Sequence, residues 1–275
     1  MQILHEEFIK AVIKEDIGRG DLFSRISESK EVSGYIIAKS SGVFAGQEYI
    51  EAFGKLFNIE FNLNVKDGDS FSKGQKLLTL RGDSKIILSL ERSILNIVLH
   101  TSSIATLTRE FVKIVKPYGV MLLDTRKTRP MLRELEKYAI RCGGGVNHRM
   151  GLDDCLMLKD THLKTIDNLK EFMQEVREKI PFTSKVEIEC ESFADVKRAF
   201  EAGADIVMCD NMSIAQIKEV VSFRDKEYPH ILLEASGNVT LESVEEIAKT
   251  GVDAISTGSS IHQSKWIDLS MKMEG

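Results

Sequence analysis

Residues 126–149 form a strongly basic segment in an acidic protein. Seven Lys and Arg residues and two Glu residues give this segment a charge of +7 − 2 = +5, whereas the whole 275-residue chain has a formal net charge of −5. Such a local excess of cations is typical of an anion site, because the planar guanidinium group matches carboxylates and phosphates. The triple glycine 143–145 predicts that backbone approaches the anion closely. For Arg133 and Lys137 we favour the alternative, a solvated helix face.

The cations most suited to chemistry stand next to apolar runs that are typical of strands. Arg126 and Lys127 follow the run VMLLD, and Lys159 ends the run CLMLK. Because strand ends carry the functional groups of βα barrels, these positions favour an anion site over a solvated surface. The predicted cationic group consists of Arg126, Lys127, His148, Arg149 and Lys159.

Two acidic residues end the next two predicted strands, Glu189 after KVEI and Asp210 after IVMC. Carboxylates that face a basic pocket can bind Mg²⁺ through its waters or accept hydrogen bonds from sugar hydroxyls. Structural pairing with Lys159 or Arg149 is an alternative that fits the sequence equally well. The glutamates two residues before and after Glu189 would share its face, so its selection rests on its position at the strand end.

Two loops rich in Ser, Thr, Gly and Asn follow the last two predicted strands. Each precedes a predicted helix, whose N-terminal N–H groups and neighbouring hydroxyls can hold a phosphate. The last strands of βα barrels often bind phosphate in this place. Ordinary N-capping is the alternative for a single loop, and the repetition favours phosphate. The loops are Ser236-Gly237-Asn238 and Thr257-Gly258-Ser259.

From residue 120 onward, short apolar runs alternate with amphipathic segments. This alternation predicts parallel strands joined by right-handed helical crossovers. The runs are apolar on both faces, as in strands covered by helices, and their number favours a barrel over an open sheet. No GxGxxG follows the first strand, which argues against a dinucleotide fold. Strands are predicted at 120–124, 155–159, 185–189, 205–209, 230–235 and 253–257, and helices at 130–141, 165–179, 193–202, 214–224 and 241–250.

The first 115 residues have a different pattern. A helix is predicted at 1–16, followed by a loop over GRGDLFS. Alternating apolar runs separated by turn residues predict a small antiparallel β region over 34–80. Apolar residues at spacings of three and four predict a long helix over 84–115, which Ser102-Ser103 and Thr106 could divide in two.

Composition argues against several classes of protein. The net negative charge disfavours nucleic acid as a partner, because nucleic-acid sites usually need a basic domain or face. No apolar run approaches the roughly 20 residues of a membrane span, and the N-terminus lacks the apolar core of a secretory signal. The four cysteines form no CxxC pair. They are therefore predicted to be reduced thiols rather than disulfides or zinc ligands, which fits a cytoplasmic protein.

Several motifs along the chain are long and specific. They are KEDIGRGD, ERSILN, LDTRKTRP, EKYAIRCGGGVNHRMGL, LMLKDTH, VEIECES, AGADIVMCDN, LEASGN and GVDAISTGS. In these motifs the sequence resembles, nearly end to end, the quinolinate phosphoribosyltransferases, also called nicotinate-nucleotide pyrophosphorylases (carboxylating). The departures are small, with Val146 and Thr161 standing where many members have His and Asn.

The resemblance implies an α/β protein with two domains. An N-terminal α/β sandwich domain would span 1–105, and an incomplete α/β barrel of seven strands would span 106–264. The C-terminal tail, 265–275, would pack back on the first domain. The resemblance also implies a homodimer, or a higher assembly of dimers, in which Arg92 of one subunit enters the site of the other.

The implied reaction joins quinolinate to phosphoribosyl pyrophosphate (PRPP), with Mg²⁺, and gives nicotinate mononucleotide, pyrophosphate and CO₂. Lys127, Glu189 and Asp210 would be catalytic, and the two acids would hold Mg²⁺ directly or through water. The implied quinolinate ligands are Arg92, Thr125, Arg126, His148, Arg149 and Lys159, and the implied phosphate ligands are Lys127, Ser236, Gly237, Asn238, Thr257, Gly258, Ser259 and His262.

Two other functions are compatible with the same residues. A paralogue with the same fold could act on another anionic substrate, and a non-enzymatic sensor could bind a sugar phosphate without releasing pyrophosphate. Nicotinate would distinguish the paralogue from a quinolinate enzyme, because its single carboxylate leaves part of the cation cluster unpaired.

Overall fold

A computed structural model describes residues 2–274, which divide into two compact units. The first unit holds the described residues up to Leu107, the segment Arg141–Gly144 and the described residues from Ser264 onward. The second unit holds Thr108–Ile140 and Gly145–Gln263. The domain boundary predicted between residues 105 and 106 lies within one continuous helix, Ser84–Val115.

The first unit contains a four-stranded antiparallel sheet. Its strand β1 (Glu31–Ala38) buries Gly34, Ile36 and Ala38, whereas the residues between them are partly exposed, as packing on one face requires. The other strands are β3 (Glu60–Leu63), β5 (Lys76–Asp83) and β12 (Leu269–Met273), in the order β12-β1-β5-β3, and a separate two-stranded sheet pairs β2 (Gly42–Val43) with β4 (Ser70–Phe71).

Two helices of this unit lie where the sequence predicted other structure. Helix α2 (Leu22–Ile26) forms within the predicted loop GRGDLFS, because the Asp21 carboxylate accepts hydrogen bonds from two N–H groups of its first turn. Helix α3 (Gln47–Phe57) interrupts the predicted β region and buries Tyr49, Ile50, Ala52 and Phe53 on one face. Both predictions were wrong there. Helix α1 (Gln2–Ile17) forms as predicted, apart from residue 1, which lies outside the described residues.

The predicted long helix forms without interruption as α4 (Ser84–Val115). The hydroxyl of Ser103 donates to the carbonyl oxygen of Leu99 at 2.6 Å. The hydroxyl of Thr106 donates to the carbonyl oxygen of Ser102, also at 2.6 Å. Because both hydroxyls bond to the preceding turn, the helix accommodates them. The suggested division of this helix is therefore wrong.

The second unit is built on a six-stranded parallel sheet with helices between successive strands, which confirms the predicted alternation. Parallel pairing runs through the whole sheet, and its strands are largely buried. The strands are β6 (Met121–Leu123), β7 (Leu156–Leu158), β8 (Val186–Cys190), β9 (Ile206–Asp210), β10 (Leu232–Ser236) and β11 (Ala254–Ser256), in the order β6-β11-β10-β9-β8-β7.

Polar caps set the starts of several helices in this part of the chain. Asn168, Ser192 and Ser213 each accept a hydrogen bond from an N–H of the first turn that follows. The helices are α5 (Arg133–Gly143), α6 (Asp160–Leu163), α7 (Leu169–Lys179), α8 (Phe193–Glu201), α9 (Ile214–Glu227), α10 (Val244–Ala248) and α11 (Ser259–His262).

The parallel sheet is curved into an incomplete barrel. Val146 forms a single parallel bridge with Leu123, outside β6, so six strands and one bridge stand where seven strands were predicted. Two residues later, His148 contacts Glu187 on β8, although β8 lies four strands from β6 in the sheet. A flat sheet would separate those strands by about 19 Å, so the contact requires curvature.

Among residues 2–274, no helix is both long and apolar enough to cross a membrane. No cysteine in that range forms a disulfide. Cys190 and Cys209 are buried in the core, where β8 and β9 pair.

Candidate active site

A cavity of about 410 Å³ opens at the carboxyl ends of the strands of the second unit. Its volume suits a small molecule, and its position is the one that βα barrels use for function. Most of the predicted site residues line it, namely Thr125, Arg126, Lys127, His148, Arg149, Lys159, Glu189, Asp210, Ser236, Gly237 and Asn238.

The guanidinium group of Arg126 is incompletely hydrogen-bonded among the described residues. Its buried Nε has no hydrogen-bond partner among the described residues. Burial and the neighbouring charges of Arg149 and Arg133 lower the pKa of Arg126. Arg149 is held by its guanidinium group, which donates to the carbonyl oxygen of Cys155 at 3.0 Å. These neighbouring positive charges repel one another, and an anionic ligand in the cavity would compensate them.

Glu189 and Asp210 line the cavity from neighbouring strands. Oε2 of Glu189 accepts a hydrogen bond from Nζ of Lys159 at 2.5 Å, so the structural pairing considered as an alternative is present. Oδ2 of Asp210 accepts from the amide of Asn211 at 2.8 Å. Two carboxylates on neighbouring strands also have the oxygen-donor chemistry that Mg²⁺ prefers, so the residues fit that ion.

His148 faces two buried glutamates, Glu187 and Glu234, and the second of these also lines the cavity. Its Nε2 lies 3.1 Å from Oε2 of Glu187 and 3.2 Å from Oε2 of Glu234. Neither carboxylate oxygen of Glu187 forms a hydrogen bond of good geometry with the described residues, and the same holds for Oε1 of Glu234, so the contact of Glu187 with His148 is mainly electrostatic. Burial raises the pKa of Glu187. The trio therefore places three buried or nearly buried ionisable groups beside the cationic group.

Two contacts of His148 favour different protonation states. Burial disfavours its charge, but the nearby carboxylates of Glu187 and Glu234 outweigh burial and raise the pKa of His148 to about 10. The N–H of Arg149 lies 2.8 Å from Nδ1 and favours a neutral ring. The carboxylates dominate, because leaving buried charge uncompensated costs several kcal/mol, against about 1–3 kcal/mol for one lost hydrogen bond. While the ring is doubly protonated the trio is an ion-pair cluster, whereas a neutral ring and the two carboxylates together have the ligand atoms of a metal site.

We expect His148 to stay charged throughout the neutral pH range. Its pKa is raised above the ordinary 6.5, so the stabilisation from its charge is full below about pH 6.5 and is lost as the pH rises through about 10. The Cε1–H NMR signal of His148, assigned by comparison with a His148→Gln variant, should therefore not move between about pH 6 and pH 8.5. An inflection near pH 6.5 would show that the ring titrates normally.

A second pocket of about 190 Å³ adjoins the cavity and shares Thr125, Lys127 and the loop Ser236-Gly237-Asn238 with it. Its lining adds the remaining predicted phosphate ligands, Thr257, Gly258, Ser259 and His262. The hydroxyls of Thr257 and Ser259 both donate to the carbonyl oxygen of Val239, at 3.3 and 3.0 Å. The phosphate role of these two hydroxyls stays a prediction.

The loops after β9 and β10 have an unusual backbone. Asn211, Gly237 and Asn238 all adopt positive φ angles, of 53°, 97° and 47°. The N–H of Asn211 donates to the carbonyl oxygen of Ser236 at 3.0 Å. A Cβ atom added at Gly237 would lie 2.3 Å from Oδ1 of Asn211. The close approach of the two loops therefore requires glycine at position 237.

Comparison with known proteins identifies the family of this site. The sequence model of the quinolinate phosphoribosyl transferase C-terminal domain matches residues 104–272, and that of the N-terminal domain matches residues 21–102. The chain belongs to the quinolinate phosphoribosyltransferase family. The resemblance of the sequence motifs is thereby confirmed, as is the predicted α/β fold class.

Other members of the quinolinate phosphoribosyltransferase family match nearly the whole chain. A probable nicotinate-nucleotide pyrophosphorylase (carboxylating) from Methanothermobacter thermautotrophicus is 38% identical, over 98% of this chain and 99% of that protein. Another from Bacillus subtilis is 41% identical, over 94% of this chain and 89% of that protein. The solved structure of the nicotinate-nucleotide pyrophosphorylase from Francisella tularensis has a TM-score of 0.93 at 32% identity, and covers 100% of this chain and 97% of that one.

The structure corrects three predictions about the basic segment of this quinolinate phosphoribosyltransferase family member. Lys137, assigned to a solvated helix face, is fully buried against Asp124. Arg133, assigned to the same face, is half-buried and donates to the carbonyl oxygen of Met150 at 3.0 Å. The triple glycine does not line the cavity; a Cβ atom at Gly145 would lie 2.8 Å from Cγ2 of Ile140, so that glycine permits packing.

One predicted quinolinate ligand, Arg92, does not line the cavity, and three residues of the site were not predicted from the sequence. Arg92 lies on α4 in the first unit, and its side chain is exposed. Sequence reasoning did not select Glu187, Glu234 or Asn211. Glu187 and Glu234 stand two residues before Glu189 and Ser236 on the same faces of their strands, a period-two signal that could have identified them.

Proposed function

We propose that this protein transfers the phosphoribosyl group of PRPP to quinolinate and removes CO₂, giving nicotinate mononucleotide and pyrophosphate. One observation carries the proposal. The buried Nε of Arg126 lacks a partner in a cavity that also holds Arg149 and Lys159 and that adjoins the pocket of the Gly237 loop. A dicarboxylate and a phosphorylated sugar together match this distribution of charge.

Quinolinate carries two adjacent carboxylates, which need several cations in a fixed arrangement. Arg126, Arg149 and Lys159 line the cavity and would bind them, with His148 beneath. Lys159 is paired with Glu189 and would exchange that partner for a substrate carboxylate. A monocarboxylate would leave part of this group unpaired, which favours the dicarboxylate.

PRPP would lie across the two adjoining pockets. Its 5′-phosphate suits the backbone of the Gly237 and Gly258 loops, and Lys127 lines both pockets, where it can reach the pyrophosphate. Glu189 and Asp210 would accept hydrogen bonds from the ribose hydroxyls and hold Mg²⁺, directly or through water. When bound, Mg²⁺ would neutralise charge on the leaving pyrophosphate.

The chemistry that follows needs no nucleophilic side chain. Cleavage of the C1–O bond of PRPP leaves an oxocarbenium-like centre, which the nearby carboxylates of Glu189 and Asp210 stabilise. The ring nitrogen of quinolinate attacks this centre and becomes positively charged. Loss of the 2-carboxylate as CO₂ then leaves a carbanion at that ring carbon, which the ring charge stabilises. The carbanion then takes up a proton. The protein contributes orientation and preorganised charge.

A pyrophosphate-release assay with quinolinate and PRPP tests the proposal. We expect release that depends on both substrates, a product with the mass of nicotinate mononucleotide, and loss of turnover in excess chelator that added Mg²⁺ restores. Nicotinate in place of quinolinate should be a poor substrate. Equal turnover of nicotinate would favour the paralogue, and PRPP binding without pyrophosphate release would favour the sensor.

We further propose that the protein works in the cytoplasm as a homodimer, or an assembly of dimers, with Arg92 donated to the neighbouring site. The absence of disulfides among residues 2–274 supports a reducing compartment. The position of Arg92, exposed on α4 of the first unit, supports a role towards a second subunit.

Mixing two inactive variants tests the donation of Arg92. Arg92→Ala and Arg149→Ala should each be nearly inactive alone. In a mixed dimer, one site would keep its own Arg149 and receive Arg92 from the other subunit, so a 1:1 mixture should regain about a quarter of the wild-type activity. Subunit exchange is confirmed with affinity tags. No recovery after exchange would place Arg92 outside the neighbouring site.

A further inference from the structure

Asp124 and Lys137 form a fully buried ion pair next to the cavity. Asp124 directly follows β6, and Lys137 lies on α5. Burial raises the pKa of Asp124 and lowers that of Lys137, so both groups are costly to keep ionised. A buried ion pair is weak evidence for stability, because desolvation offsets the attraction. The position of the pair beside the cavity suggests a role other than stability.

The hydrogen bonds of this pair go to the segment that carries two cavity cations. One carboxylate oxygen of Asp124 accepts from the N–H of His148 at 2.9 Å, and the other accepts from the side-chain amide of Asn147 at 2.6 Å. Nζ of Lys137 donates to the carbonyl oxygen of His148 at 2.8 Å. Both backbone polar groups of His148 are therefore fixed by one ion pair.

We propose that Asp124 and Lys137 are positioning residues for quinolinate, acting through His148 and Arg149; the inference rests on the proposed function. The backbone at His148 sets where its ring meets Glu187 and where the next side chain, Arg149, enters the cavity. Asp124 borders the cavity, but its carboxylate is occupied by Lys137 and the 147–148 segment. A shift of about 1 Å in such a segment can cost about 100-fold in rate.

A purely structural ion pair is the competing explanation, and the second unit offers a matched control. Arg224 is buried and donates to Oδ2 of Asp253 at 2.7 Å, and the same oxygen accepts from the N–H of Leu233 at 2.7 Å. This pair fixes the start of β10, whereas the cavity lies at the other ends of the strands. Removing it should cost stability without changing substrate affinity.

The test compares the double variants Asp124→Asn/Lys137→Met and Arg224→Met/Asp253→Asn, so that neither leaves one buried charge unpaired. We expect the first to raise the KM for quinolinate by about tenfold or more while the KM for PRPP changes much less. The second should lower the melting temperature and leave both KM values unchanged. Melting temperatures of all variants separate folding from positioning.

If the first double variant does not fold, Asn147→Ala is tested instead, because it removes the hydrogen bonds to the carboxylate of Asp124 and to the carbonyl oxygen of Lys137 but keeps both charges of the ion pair. The same selective rise in the KM for quinolinate is expected from it. An unchanged KM for quinolinate in a folded variant, or an equal rise for both substrates, would overturn the positioning role. An inactive wild-type protein would instead reject the proposed function, so the two failures are distinguishable.

Discussion

Replacing Arg149 by alanine should weaken quinolinate binding by about 30-fold to 4,000-fold, since removing one partner of a desolvated charge pair costs about 2–5 kcal/mol. Arg149 lines the cavity, where burial and the charge of Arg149 together lower the pKa of Arg126. Without Arg149, one carboxylate of the ligand would be buried without its partner. Calorimetric titration of quinolinate and the KM for quinolinate both measure the effect.

Two controls separate this effect from a loss of structure. Arg149→Lys keeps the charge but loses the planar fork that donates to the carbonyl oxygen of Cys155 at 3.0 Å, so an intermediate affinity is expected. Arg177→Ala removes an arginine that pairs with Asp205 away from the cavity, and should leave the affinity unchanged. A quinolinate affinity within about twofold of wild type in folded Arg149→Ala protein would show that Arg149 does not bind quinolinate, because loss of a buried charge partner costs more binding free energy than that.

The positions of the site residues along the chain could be predicted because parallel strands impose a simple rule. Each apolar run ends at the same edge of the sheet, so Arg126, Lys159, Glu189 and Asp210 meet although they are far apart in sequence. The short helix α2 and the helix α3 were missed for the opposite reason. Their sequences are compatible with turns or strands, and their helical form depends on the Asp21 cap and on burial of one face.

The partners of the charged residues could not be predicted in the same way. Lys137 lies on a helix among other charges, and its sequence context does not differ from that of an exposed lysine. Its burial follows from contact with Asp124, thirteen residues away, and with the backbone of His148. Likewise, Glu234 lies in an apolar run, and its role is visible once the sheet curves and brings His148 to it. Such pairings depend on tertiary geometry rather than on local pattern.

The basic segment contains cations in two different environments. Arg126 and Arg149 face the cavity, whereas Arg133 and Lys137 bind backbone oxygens of Met150 and His148. The contacts of the second pair lie on either side of Arg149, in the segment that carries this cavity cation. Net charge indicates an anion site but does not separate ligand cations from supporting cations.

Replacing Gly237 by alanine should impair PRPP binding severely while sparing quinolinate. At φ 97° a side chain is strained by about 1–3 kcal/mol. The added Cβ would also lie 2.3 Å from Oδ1 and 2.8 Å from the backbone N of Asn211, so the loop after β10 must move. Because that loop lines both pockets, we expect the KM for PRPP to rise by about 10-fold to 100-fold.

Gly203→Ala provides the matched control for Gly237→Ala. Gly203 has a similar φ, 83°, but a Cβ atom there meets no atom within 4 Å, and the residue does not line either pocket. Both variants should lose stability from backbone strain, whereas the Gly237 variant alone should lose PRPP affinity. Similar PRPP affinity in the two folded variants would show that the loop after β10 does not contact the phosphates, and the phosphate site would then have to lie elsewhere in the cavity.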